Sequence, residues 1–185
     1  MRVLVIADRR PTLKGLPIPD YVASKRLDAV ITAGDLTRDI LTGIDSVPVP
    51  TMGVYGNHCD GRYLEDLGVT NLHLATATVG GVTFSGIQGC VHYKADPSKL
   101  LYTQDEYRTQ LQDLPRADVV VTHCPPAGIN DHTDPAHIGI EALREWIDCM
   151  QPAVLIHGHT HPREPVTLCG ATRVEYVHGA KVITL

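Results

Sequence analysis

The sequence predicts an α/β fold built on a mixed sheet or on two packed sheets. Short apolar runs alternate with helix-like segments through the first half, and hairpin-like stretches occur in the middle and at the end. Several of the apolar runs also end in residues that could bind metals. At 185 residues and 43% apolar composition, the chain is long enough to bury a sizeable core. We therefore expect one domain over residues 1–185.

The first half of the chain alternates between strands and loops or helices. Apolar runs predict buried strands at 3–7, 28–33 and 51–55. Helices are predicted at 21–27, at 37–44 and from Asp60 through about 67, with Asp60 as the cap of the last one. Such an alternation favours parallel strands connected by helices.

The second half begins with a predicted hairpin and ends with two strands. Gly80-Gly81 lies between two alternating runs, as in a tight hairpin turn. Thr103 and Glu106 form a capping box that opens a helix. Strands at 117–122 and 153–156 flank an amphipathic helix at 140–150. Two further strands are expected around His178-Gly179.

Charge and composition exclude several classes of partner. The net charge is −5 and no basic block occurs, so nucleic-acid binding is not indicated. No apolar run is long enough to cross a membrane, and the chain opens directly on a strand-like run, so we expect a cytoplasmic protein with no membrane partner. Five cysteines at irregular spacings do not form a disulfide framework. The oligomeric state stays open.

The ends of five predicted strands carry side chains with oxygen or nitrogen ligand atoms, and none of these side chains is Lys or Arg. They are Asp8, Asp35, Asn57-His58, His123 and the pair His159 and His161. In a strand, residues two apart lie on the same side. The functional crevice of an α/β sheet lies beyond the carboxyl ends of its strands. Helix capping could explain any one residue, but the convergence of all five indicates a metal site.

These residues resemble the motif set of the calcineurin-like metallophosphoesterase family. The family blocks are D-x-H, G-D, G-N-H-D/E, a strand-ending H and G-H-x-H. Here they read Asp8-Arg9-Arg10, Gly34-Asp35, Gly56-Asn57-His58-Cys59, Thr122-His123 and Gly158-His159-Thr160-His161. The loop from His123 to His137 is also similar to that of a subgroup of small bacterial phosphoesterases.

The resemblance implies two packed mixed sheets flanked by helices, in a four-layer sandwich with a two-metal site. Asp35 would bridge both ions. Asp8 and His161 would hold the first, and the second would be held by Asn57, His123 and His159. The implied reaction is hydrolysis of a phosphoester, with a phosphodiester favoured, by metal-activated water on a small phosphorylated substrate.

The donor set suits Mn, Fe, Zn or Ni rather than Ca, because it mixes carboxylates, an amide oxygen and imidazoles. Two such ions about 3.5–4 Å apart can clamp a phosphoryl group. The resemblance gives His58 the catalytic role of facing the phosphate, either stabilising its charge or protonating the leaving oxygen. The alternative is a buried His58 that bonds to backbone.

Two departures from the family blocks concern this site. Arg10 replaces the second ligand of D-x-H, and a guanidinium cannot bind a metal. We expect a weakened first site with Arg10 near its rim, either swung outward or bound to Asp8 or to a substrate phosphate. Cys59 replaces the acidic residue after His58, so Asp60 becomes a candidate to orient His58. Cys59 and Cys124 are expected to be neighbours of the site rather than ligands.

The remaining histidines and the overall function leave alternatives open. His137, and less so His132, could reach substrate from their loop or merely brace it. Strand alternation favours a core position for His157, and His178 cannot be placed. The first functional class is a metal-dependent phosphoesterase. The second is a scaffold that keeps the fold without turnover, and the third is a one-metal or redox-metal protein.

Overall fold

The computed structural model describes residues 1–185 and contains thirteen strands and four α-helices. In chain order the strands are β1 (Arg2–Ala7), β2 (Ala29–Ala33), β3 (Thr51–Val54), β4 (Thr70–Asn71), β5 (Thr76–Val79), β6 (Val82–Ile87), β7 (Cys90–Val91), β8 (Leu101–Tyr102), β9 (Val119–Thr122), β10 (Val154–His157), β11 (Val166–Cys169), β12 (Thr172–Tyr176) and β13 (Gly179–Thr184). The α-helices are α1 (Ile18–Lys25), α2 (Tyr63–Asp66), α3 (Gln104–Gln110) and α4 (Glu141–Met150). Short 3-10 helices span Ile44–Ser46 and Pro135–His137.

Two mixed sheets form the centre of the molecule. The five-stranded sheet has the order β13-β1-β2-β3-β4, and the six-stranded sheet has the order β11-β12-β10-β9-β6-β5. The strands β1, β2, β3 and β4 run parallel, and so do β12, β10, β9 and β6, while β13, β11 and β5 are antiparallel edge strands. A separate pair, β7 and β8, lies outside both sheets.

Three apolar clusters hold the layers together. The inner cluster joins the facing sides of the two sheets. The second packs α1 and α2 on the outer face of the five-stranded sheet, and the third packs α3 and α4 on the outer face of the six-stranded sheet. Each buried Leu, Ile or Val contributes about 1.5–3 kcal/mol. The arrangement is the predicted pair of mixed sheets flanked by helices.

Most predicted elements are present at the expected places. The Gly80-Gly81 turn has φ values of 57° and 83°, as a two-residue hairpin turn requires. The capping box is formed, with the Glu106 N–H donating to Thr103 Oγ1 at 3.2 Å and the Thr103 N–H donating to Glu106 Oε2 at 2.7 Å. None of the four α-helices has the length and apolar character that crossing a bilayer requires.

The predicted helix at 37–44 is wrong. This segment is a series of turns that leads into the short 3-10 helix. The Asp39 carboxylate accepts a hydrogen bond from the Thr37 hydroxyl, and the Asp39 carbonyl accepts one from the Thr42 hydroxyl at 2.8 Å. Local bonds of this kind compete with the helical pattern, and Gly43 then turns the chain at a φ of 87°.

Two other helices differ from prediction at their starts. The helix α1 begins at Ile18, three residues before the predicted start, because Pro19 fits the first helical turn. The helix α2 is only Tyr63–Asp66. The Asp60 carboxylate accepts the N–H groups of Arg62 and Tyr63 at 2.9 and 3.1 Å, so it holds the turn before the helix instead of capping a longer one.

Candidate metal centre

Left-handed backbone turns place three of the predicted ligands beyond the strand ends. Asp8, Asp35 and His159 have φ values of 66°, 53° and 68°. Asp8 follows β1 directly, while Asp35 and His159 each lie two residues past their strands. This region of φ is costly for residues other than glycine and clusters at functional sites. The strained turns bring side chains from both sheets to one edge of the molecule.

Glycines allow the close approach of these side chains. A Cβ on Gly34 would lie 2.5 Å from His123 Nδ1, and one on Gly56 would overlap Asp35 Oδ1. A Cβ on Gly158 would lie 3.1 Å from both carboxylate oxygens of Asp8. The glycine in each motif block is therefore required by contact with a site residue from another strand.

His123 and His159 are each fixed by a backbone carbonyl. Because a carbonyl only accepts, the His123 Nδ1–H donates to the Ala33 carbonyl at 2.8 Å, which leaves Nε2 free to face the site. The His159 Nε2–H donates in the same way to the Ala136 carbonyl at 2.8 Å, leaving Nδ1 free. The two rings lie 5.0 Å apart between centroids. A carbonyl partner of this kind typically orients a metal-binding imidazole.

Several buried polar atoms at this edge have no hydrogen-bond partner. They include Oδ1 and Nδ2 of Asn57, Nε2 of His123 and Nδ1 of His178. Asn57 and His123 are fully buried. An unsatisfied buried polar group costs about 1–3 kcal/mol, so atoms of this kind point to a missing partner. A divalent cation bound by Asn57 Oδ1 and by His123 Nε2, once that nitrogen has lost its proton, would give both atoms a partner, so the residues present fit a metal ion.

The carboxylates surround the buried imidazole. Asp35 Oδ2 lies 3.3 Å from His123 Nε2, and Asp8 Oδ1 lies 3.9 Å from His123 Nδ1. Ligand atoms of these three residues all lie within 4.8 Å of one another. The N–H of His159 donates to Asp8 Oδ1 at 3.1 Å, and the N–H of His58 donates to Asp35 Oδ1 at 2.7 Å. Two carboxylates and the His123 imidazole therefore converge on one small volume, and the His159 ring lies next to His123.

Burial and charge shift the pKa values of this group in opposite directions. Burial acts to raise the pKa of Asp35, but the positive charge of His123 and the His58 N–H outweigh it and lower that pKa to about 2. Burial acts to lower the pKa of His123, yet the Asp35 charge raises it to about 9. For His159, burial and the neighbouring His123 charge lower the pKa to about 3. The pKa of Asp8 is raised, mainly by burial.

His161 lies beside Tyr176 and His178. Its Nδ1 is 2.7 Å from the Tyr176 hydroxyl, and its ring centroid is 4.8 Å from that of His178. His178 Nδ1 in turn lies 3.5 Å from Asp8 Oδ2. All six predicted ligands therefore lie at the one edge where the parallel strands of both sheets end.

Arg10 is directed away from this cluster. It is exposed, and its guanidinium pairs with Asp39 at 3.2 Å rather than with Asp8. Of the positions considered for Arg10, the outward one is observed. Cys59 is buried with its Sγ accepting the Gly56 N–H at 3.1 Å, and burial raises the pKa of its thiol to about 11. Asp60 is engaged with the turn before α2 and does not orient His58.

The other histidines divide into an exposed rim and a core. His58 is exposed, so it is not a buried histidine bonded to backbone through its ring. The His137 ring lies 5.0 Å from the His159 ring at a tilt of 38°, with its Nδ1 held by Asp134 at 2.8 Å, and the His132 ring lies 5.9 Å from that of His137. His157 is fully buried, as strand alternation predicts.

Two residues near the ligands were not identified from the sequence. Cys90 is buried with its Sγ within 4.8 Å of ligand atoms of His123 and His159. Burial raises the pKa of this thiol well above its ordinary value, so it is a neutral neighbour. Nothing in the sequence around Cys90 marks it. The one sequence signal for the position of His178 is that it lies between two predicted strands.

Comparison with known proteins agrees with this architecture. The calcineurin-like phosphoesterase superfamily domain matches residues 1–176, so the chain belongs to that superfamily of metal-dependent phosphoester hydrolases. The protein TT1561 of Thermus thermophilus has a TM-score of 0.67 at 16% identity, over 96% of this chain and 88% of that one. A dimetal phosphatase from Danio rerio has a TM-score of 0.59 at 12% identity, over 97% and 87%. No curated protein matches the sequence.

Proposed function

We propose that the protein is a metal-dependent phosphoesterase that hydrolyses a small phosphodiester, with His58 as its catalytic acid or charge stabiliser. The observation that supports this most is the position of His58. Its backbone N–H is held by Asp35 at 2.7 Å while the side chain is exposed at the rim. This bond fixes the backbone from which the exposed imidazole projects, so the ring can reach a phosphate bound beside the carboxylates.

The ions of this superfamily are divalent, and Mn, Fe, Zn or Ni would suit the donors present. Asn57, His123 and His159 would hold one ion and Asp8 and His161 the other, with Asp35 between them. When bound, such ions neutralise phosphate charge and lower the pKa of a coordinated water. The protein's own contribution is a set of ligands whose orientation is fixed before substrate arrives.

His58 would act on the phosphate from the side open to solvent. In its protonated form the ring can donate a hydrogen bond to a phosphate oxygen or give its proton to the leaving oxygen. The Asp35 carboxylate, which accepts the His58 N–H, fixes the backbone from which the ring projects. Phosphoryl transfer depends mostly on such positioning and charge stabilisation.

The charge around the rim supports a phosphodiester over a phosphomonoester. The rim groups are three imidazoles and two exposed guanidiniums. The Arg10 guanidinium is already paired with Asp39, whereas that of Arg9, which lies against Gly179, has no acidic partner. A monoester at neutral pH carries close to two negative charges, whereas a diester carries a single one. A rim of imidazoles with the Arg9 guanidinium next to Asp8 can neutralise one negative charge, which matches the singly charged diester.

The test compares two chromogenic esters that share a leaving group. Purified protein is supplied with Mn²⁺ and assayed with bis(p-nitrophenyl) phosphate and with p-nitrophenyl phosphate. We expect kcat/KM for the diester to exceed that for the monoester by about tenfold or more, which corresponds to about 1.4 kcal/mol. A preference for the monoester would contradict the diester assignment. Metal binding without turnover of either ester would favour the scaffold alternative.

A further inference from the structure

The first metal site is one protein ligand short if only the motif blocks supply it. The family block D-x-H provides two ligands, but here the histidine position is Arg10, which is exposed and paired with Asp39. Asp8, Asp35 and His161 remain. A fourth ligand from another part of the chain would complete a set like that of the second site.

The chain crosses from the six-stranded sheet to the five-stranded sheet next to Asp8, at the site that lacks this ligand. The strand β12 ends in the six-stranded sheet with Tyr176 paired to His157, and β13 begins in the five-stranded sheet with Gly179 paired to Ala7. Only two residues, Val177 and His178, connect these strands. Val177 is buried in the core between the sheets. Asp8 directly follows Ala7, so the crossing brings His178 to Asp8.

The His178 ring is placed as a ligand would be. Its Nδ1 lies 3.5 Å from Asp8 Oδ2, and its ring centroid lies 4.8 Å from that of His161. This Nδ1 is buried and has no hydrogen-bond partner, although the ring as a whole is partly exposed. This buried imidazole nitrogen, which lies beside a carboxylate on a ring that neighbours a second imidazole, lacks a partner that a cation would supply.

We propose that His178 is a ligand of the first metal ion, in the place that the family block gives to position 10. The ligands of that site are then Asp8, Asp35, His161 and His178. Two carboxylates and two imidazoles suit a divalent transition ion such as Mn²⁺ or Zn²⁺. The inference rests on the metal-dependent function proposed above, and it makes the first site as complete as the second.

The competing role for His178 is a structural ion pair with Asp8 that holds the crossing in place. In that role His178 would affect the stability of the metal-free protein, but the number of bound ions would not depend on it. Metal stoichiometry therefore separates the two roles without any measurement of turnover.

The experiment uses the full chain, stripped of metal by a chelator and titrated with Mn²⁺. Bound metal is measured by elemental analysis after desalting, and affinity by calorimetry. The variants are His178→Ala and His178→Gln, the second of which keeps more of the side-chain volume, and circular dichroism checks their folding. His92→Ala is the matched control, because His92 is exposed and is held through its backbone N–H to the Tyr102 carbonyl.

We expect the parent and His92→Ala to bind two Mn²⁺ per chain, and both His178 variants to keep one while the second binds at least about tenfold more weakly. Arg10→His should not tighten the second equivalent, because its ligand place is already filled. Two tight equivalents in a folded His178 variant, or a parent that binds only one, would overturn the assignment. If the second equivalent weakens in both variants as expected but the parent hydrolyses no ester, the result counts against the proposed function alone.

Discussion

The metal centre has two halves, one around His123 and one around His161. The ligands of the two halves come from different kinds of sequence. In the first of these halves, Asn57, His123 and His159 each come from a motif block at a strand end, and a backbone carbonyl orients each of the two imidazoles. Around His161 the motif is broken at Arg10, and the imidazole beside Asp8 comes from His178, near the other end of the chain.

If His178 binds the first ion as proposed, a lost motif residue does not mean a lost site. The parallel strands of both sheets end at the same edge, so any chain that crosses between the sheets there passes over the carboxylates. A histidine at such a crossing can replace one in a turn. Arg10, which stands where the family block has a histidine, forms an ion pair with Asp39 at the surface.

The largest effect is expected from Asp35→Asn, because this change acts on both halves together. The amide keeps an oxygen for the His58 N–H but removes the negative charge that lies beside His123. We expect both metal equivalents to weaken and turnover to fall by about 10³-fold or more, or several kcal/mol of charge stabilisation. Steady-state kinetics and metal analysis measure the two effects. Asp113→Asn, an exposed site after α3, is the matched control.

His58→Ala tests the rim without touching either half of the metal set. We expect turnover to fall by about 10²-fold with both metal equivalents retained, since the ring is exposed and its backbone N–H still reaches Asp35. Activity equal to that of the parent would return His58 to a structural role. Loss of metal would show that its side chain supports the site itself.

The smallest effect is expected from His137→Ala. Its ring lies 5.0 Å from that of His159, in the half around His123, while His132 lies one ring further out. We expect a rise in KM of roughly threefold for the diester, less than about 1 kcal/mol, with little change in kcat. His132→Ala serves as the matched comparison and should change KM less. An equal effect from both variants would mean that they act only through the shape of the loop.

Much of this contrast follows from how sequence patterns encode position. The strand-end residues were predicted together because an apolar run marks a buried strand and the next residues mark its end. The histidine at 178 could not be assigned, because its proximity to Asp8 depends on β13 pairing antiparallel with β1 at the far end of the chain. Pairing between distant segments leaves no local signal.

Local hydrogen bonds explain why one predicted helix is absent. The segment 37–44 has helix-like spacing, but Asp39 and the threonines near it form local hydrogen bonds that replace a helix.

The edge strand β11 was not predicted, since its outward residues such as Leu168 are exposed and do not give a clear alternation. Cys90 reaches the site through the separate β7–β8 pair, which is only two residues long on each side.

The most direct test of the two-half centre is an anomalous difference map from crystals grown with Mn²⁺. We expect two peaks. One should be contacted by Asp35, Asn57, His123 and His159, and the other by Asp8, Asp35, His161 and His178. A map with no peak at this edge, or with a first-site peak that His178 does not contact, would contradict the proposed two-ion centre.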